Sequence, residues 1–135
     1  MKTKPVLELA DVKAILSAAE AEAIKNHWVV SIAVVDDGGS LLGMVRLDGA
    51  APVSAGICQS KARTAALGRR ETKGYEEMIN GGRTAFLSAP GIDGMLEGGV
   101  PVMKDGACLG AVGVSGVKAS EDAQIAKAGI AGIGL

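Results

Sequence analysis

A chain of 135 residues is long enough to bury one real core and too short for two independent ones, so residues 1–135 are expected to form a single domain. Basic and acidic residues nearly cancel, 14 against 15, and the longest basic run is Arg69-Arg70, so the electrostatic footprint of a nucleic-acid binder is missing. No apolar run reaches the length of a signal peptide or a membrane span, which makes a cytoplasmic protein without a membrane partner the expectation.

The first helix is predicted from Leu9, Val12, Ile15, Leu16, Ala19, Ala23 and Ile24, which recur at three- and four-residue steps, while Asp11, Lys13, Glu20 and Lys25 fall on the other face. After Asn26-His27, the β-branched run Trp28–Val35 reads as a strand. The turn Asp36-Asp37-Gly38-Gly39 then leads into a second strand, Leu41–Leu47. From Ser54 to Leu67 the pattern is helical, with Ile57, Ala62, Ala65 and Ala66 as the candidates for burial. The segment from Gly68 to Gly99 is irregular apart from a short helix at residues 75–79. Two more strands, Val100–Met103 and Cys108–Ser115, are joined through Lys104-Asp105-Gly106, a tight hairpin turn. A last helix starts near Ser120, whose hydroxyl is a natural cap, with Glu121 and Asp122 favourably placed in its first turn. Paired strands flanked by helices predict an α+β fold with an antiparallel sheet rather than a doubly wound βαβ fold.

There are 20 glycines but only three aromatic residues, Trp28, Tyr75 and Phe86, so the core must close through small and aliphatic side chains with backbones close together. With 48% hydrophobic residues in so small a chain, part of that surface is expected in a homo-oligomer interface. Cys58 and Cys108 have neither metal-site nor CxxC spacing and are expected as buried apolar fillers, so no metal site is predicted.

Four stretches carry a likeness to a known family. SIAVVDDGGSLLGMVRLDGA resembles the first hairpin and R-x-D-G turn of the GlcG/HbpS-like family, also found as the C-terminal domain of PduO-type proteins. SKARTAALGR is similar to its next helix, GGVPVMKDGACLGAVGVSG to its second hairpin and EDAQIAKAGI to its closing helix. The resemblance spans about residues 8–133 and the motifs occur in the family's order. It implies a profilin-like antiparallel sheet between helices and subunits associated into rings or larger assemblies. It implies no single reaction, since members have been tied to haem binding, to glycolate and diol utilisation operons and, in one branch, to a lyase step on hydroxylaminobenzoates.

The charged, glycine-punctuated segment from Lys61 to Glu97 is where these residues suggest a site. Arg83 stands in Asn80-Gly81-Gly82-Arg83-Thr84-Ala85-Phe86, where a guanidinium and a phenyl ring suit an aromatic carboxylate, which arginine holds bidentately. Arg70 belongs to the same basic group, and Glu97 and Lys61 are the candidate acid and base. The stretch EEMINGGRTAFLSAPGIDGMLEGGVPV resembles the lyase branch, which implies conversion of 4-hydroxylaminobenzoate to 3,4-dihydroxybenzoate and ammonia with no cofactor. Two alternatives stay open. One is a haem- or tetrapyrrole-binding protein, for which His27, the sole histidine, is the candidate axial ligand; the other is a noncatalytic oligomeric accessory protein of a catabolic operon.

Overall fold

A computed structural model describes residues 1–135. In chain order it contains helix α1 (Leu9–Lys25), strands β1 (Ser31–Asp36) and β2 (Leu41–Arg46), helices α2 (Val53–Gly68) and α3 (Thr72–Asn80), a 3-10 turn (Thr84–Ser88), strands β3 (Gly99–Lys104) and β4 (Ala107–Ser115) and helix α4 (Ala119–Ala131). The strands form one antiparallel sheet in the order β2-β1-β4-β3. No helix is long and apolar enough to cross a membrane.

Both faces of the sheet are covered, and alternation along the strands separates two cores. Ile32 and Val34 of β1 and Val112 and Val114 of β4 pack beneath α1 and α4 with Val12, Ile15, Ala19 and Ile125. Ala33, Val35 and Ala111 point the other way, toward Cys58, Ala62, Ala65 and Ala66 of α2. Burial on both faces is why the β1 sequence is apolar throughout. Among these neighbours the Cys58 thiol is pushed up to about 12 by burial, so it packs as an inert apolar group.

The α2 side is built on absence of side chains. Gly99 of β3 and Gly113 of β4 face each other in register. A Cβ on Gly113 would lie 2.1 Å from the Cys58 carbonyl oxygen, and one on Gly99 2.3 Å from that of Lys61. The helix backbone thus rests directly on the sheet, which accounts for a core that manages with so few aromatics. Gly56 on the same helix is the opposite case, because a Cβ there meets nothing within 4 Å. Gly56→Ala is expected to stabilise the chain by about 0.5–1 kcal/mol through helix propensity alone, read as a higher melting temperature. A lower one would mean that another surface comes close there.

Several expected boundaries shift for local reasons. The first strand starts at Ser31, not Trp28, because Trp28 closes α1: its N–H donates to the Ala23 carbonyl at 2.9 Å and that of His27 to Ile24 at 3.1 Å. His27 takes the left-handed position after the cap, with φ of 59°. Helix α4 starts at Ala119, one residue early. Its first turn is satisfied by the Lys118 N–H donating to the Glu121 carboxylate at 3.2 Å, and Ser120 is not the cap. Leu9 and Ile24, expected on the buried stripe of α1, are exposed at its two ends, and Ile57 is only half-buried. The second hairpin matches its expectation, with Asp105 and Gly106 both at positive φ, 49° and 79°, as a two-residue primed turn requires.

Candidate functional site

Helix α2 carries Lys61 to the end of β4, where it is enclosed. Its Nζ donates to the Val114 carbonyl at 2.9 Å and to Asp122 Oδ2 of α4 at 3.1 Å, and both side chains of the ion pair are at most 4% exposed. The other Asp122 oxygen accepts the Val117 N–H at 3.2 Å. Gly98 covers the ammonium, since a Cβ there would come within 2.8 Å of Nζ. Burial pushes the Asp122 carboxyl up from its ordinary 3.8, with the Lys61 charge opposing. In this arrangement Lys61 ties α2 to α4 around the sheet end.

Two buried threonines hold the loop that precedes β3. The Asp93 N–H donates to Thr64 Oγ1 at 3.2 Å and the Gly99 N–H to Thr72 Oγ1 at 2.8 Å, while the Thr72 hydroxyl donates to the Leu96 carbonyl. Glu97 stands in this pinned segment, half-buried, with its carboxylate in no hydrogen bond or ion pair. Neither threonine announces itself in sequence: Thr64 looks like an ordinary helical residue and Thr72 like part of an irregular segment until the loop is folded against them.

Helix α3 brings together residues the sequence leaves apart. The Arg70 guanidinium lies 4.4 Å from the centre of the Tyr75 ring, and Tyr75 stacks on Phe86 of the 3-10 turn with centroids 5.3 Å apart and an 18° interplanar angle. Arg70 and Phe86 therefore share one aromatic stack through Tyr75. Arg83 is exposed at the start of the 3-10 turn; its N–H donates to the Met78 carbonyl at 3.2 Å and its guanidinium has no protein partner. The neighbouring groove between α3, the 3-10 turn and the loop before β3 is lined by none of Lys61, Arg70, Arg83, Phe86 or Glu97.

A second place is centred on His27. Its left-handed backbone is one of three at non-glycine residues. Asp105 belongs to a tight turn. Arg69 likewise ends α2, and its guanidinium donates to the Ala66 and Asp37 carbonyls. His27 has no such tie: it is exposed, its imidazole bonds to nothing in the chain, and the left-handed position costs it what glycine would not lose. It borders a depression of about 430 Å³ whose apolar floor is Ile24, Trp28, Val29 and Leu47, with Glu20 and Asp48 at the rim. Ile24 is 60% and Val29 41% exposed, so aliphatic surface gathers around the lone imidazole.

Helices on both faces of a four-stranded β2-β1-β4-β3 sheet define an α+β fold shared with a crystal structure of HbpS. The TM-score is 0.87 at 33% identity, over 97% of this chain and 92% of that one. A structure described as a PduOC:heme complex matches with a TM-score of 0.84 at 26% identity, over 95% of each chain. In sequence, protein GlcG of Escherichia coli K12 is 63% identical over 115 residues, 85% of either chain. The family model described as haem degrading protein HbpS-like matches residues 7–131, and the chain belongs to that family.

Proposed function

We propose that this chain binds haem, with His27 as the axial ligand. The observation that carries this is the solitary, exposed and unpartnered imidazole at a left-handed position beside exposed aliphatic side chains. The donor set fits, since an imidazole is a common haem ligand and a porphyrin face needs apolar contact. Ile24, Trp28, Val29 and Leu47 would cover the ring and exclude water, and the acidic rim of Glu20 and Asp48 directs the propionates to the opposite side. When bound, haem would supply a redox-active iron to a chain whose own side chains have none. The PduOC:heme complex and the haem-related family description support this reading over the expectation of no cofactor. Titration with haemin, followed at the Soret band, should give a red shift that saturates. A shift that only scales with added haemin would count against it.

A second reading is a cofactor-free lyase acting on a hydroxylamino-aromatic carboxylate. It is supported by the Arg70–Tyr75–Phe86 stack, on which an aromatic ring can lie, and by the unpaired Arg83 guanidinium. With Lys61 engaged by Asp122, acid–base work falls to Glu97. Incubation with 4-hydroxylaminobenzoate should then release ammonia and 3,4-dihydroxybenzoate, and Glu97→Gln should slow that release; no ammonia from the wild type would end this reading. We also propose self-association, to which the exposed Leu41, Leu42, Val53 and Leu67 would contribute.

A further inference from the structure

The open groove between α3, the 3-10 turn and the loop before β3 has a volume of about 400 Å³ and, although it adjoins the Arg70–Tyr75–Phe86 stack, shares no lining residue with either site above. Ile79, Leu87, Met95 and Leu96 supply its apolar walls, with Leu87 and Leu96 62% and 46% exposed. Its charged lining is all of one sign, Glu76 and Asp93, and no lysine or arginine faces it. Asp93 is partnered by Arg63 at 2.8 Å. Glu76 is not: its carboxylate is half-buried and bonds to nothing in the chain, and Lys73, one turn earlier, pairs with Glu77. The floor is held rigid by Thr64 and Thr72, which pin the loop on either side of Met95.

We propose that this groove binds a small organic ammonium ion, an amine on a compact apolar body, with Glu76 as its counter-charge. The apolar body gains by leaving water against the leucines and Met95. The ammonium donates to a carboxylate that the fold leaves free, and Asn80, one turn along α3, offers a carbonyl beside it. An organic anion is refused, because it would have to shed water next to the Glu76 carboxylate, whose charge no side chain of the protein balances.

Three probes of nearly equal shape separate charge from shape: benzylamine, benzyl alcohol and benzoate. Each is titrated at neutral pH and low salt into chain labelled at its isoleucine and leucine methyls, with Ile79, Leu87 and Leu96 as reporters. Benzylamine should shift these methyls saturably with a Kd about fivefold below that of benzyl alcohol, the worth of a partly exposed ion pair. Benzoate should give no saturable shift. Glu76→Gln should bring benzylamine level with benzyl alcohol, and Leu87→Ala should weaken both alike. Three results would overturn the proposal: benzoate binding as tightly as benzylamine, indifference of benzylamine to Glu76→Gln, or no saturable shift with benzylamine, as when a second copy of the chain covers the groove.

Discussion

Lys61→Met should destabilise the chain by about 3–5 kcal/mol at neutral pH, the usual cost of removing one partner from a buried pair. For a chain of this size that is roughly 10–20 °C in melting temperature. The loss arises because Asp122, 2% exposed, keeps only the Val117 N–H as a partner once the ammonium is gone. Its dependence on pH has a definite sign. The Asp122 carboxyl is raised above 3.8 in the folded chain, by burial first, and Lys61 is what holds it down. A carboxyl raised on folding binds its proton more tightly in the native state. Its contribution to stability is therefore full below the unfolded value and is lost as pH rises through the folded one. Without Lys61 the folded value climbs further, so the deficit of Lys61→Met should be smallest in acid and grow with pH until the orphaned carboxyl ionises. Chemical denaturation across that range checks it. A deficit that is flat with pH, or below about 1 kcal/mol, would mean the pair is not sealed from water.

Gly113→Ala should cost about 3 kcal/mol or more, because the added carbon has nowhere to go. It would sit 2.1 Å from the Cys58 carbonyl oxygen and 2.5 Å from the Ala62 nitrogen, both backbone atoms that no rotamer change can move. Relief requires α2 to lift from β4, which opens the layer of Ala33, Ala62, Ala65, Ala66 and Ala111 and disturbs Lys61 on the same helix. The variant should unfold at markedly lower denaturant and lose protection of the α2 amides in hydrogen exchange. Gly56→Ala, on helix α2 but facing open space, is the matched control, and a similar loss in both would contradict this packing.

The contrast between these two glycines shows where the sequence is readable and where it is not. Both hairpins could be placed from residues alone because their information is local: Asp36 to Gly39 and Asp105-Gly106 carry their own turn chemistry, and largely apolar runs flank them. The α2 interface is different, since a glycine in a strand says only that something comes close, and here it is a helix 50 residues away. Lys61 reads as a polar position in a helix until Asp122, from the far end of the chain, is folded against it. Arg70 and Phe86 could be named as substrate-binding residues, yet it is Tyr75 between them, buried and easy to pass over, that joins them. The loop with Glu97 looks irregular because its order comes from Thr64 and Thr72, side chains outside it. His27 could be weighed as a ligand from its solitude alone. Its left-handed backbone depends on how α1 ends, and that became visible only in the fold.

The central claim, that His27 holds haem, is tested most directly by His27→Gly. Glycine suits a position with φ of 59° better than histidine does, so the variant should keep the fold and gain about 0.5–1 kcal/mol. Loss of haem binding then cannot be blamed on unfolding. Haemin titrated into both proteins should give a saturable Soret shift with the wild type and none with a fully folded His27→Gly. An undiminished, saturable shift in the variant would contradict the account and place the ligand elsewhere.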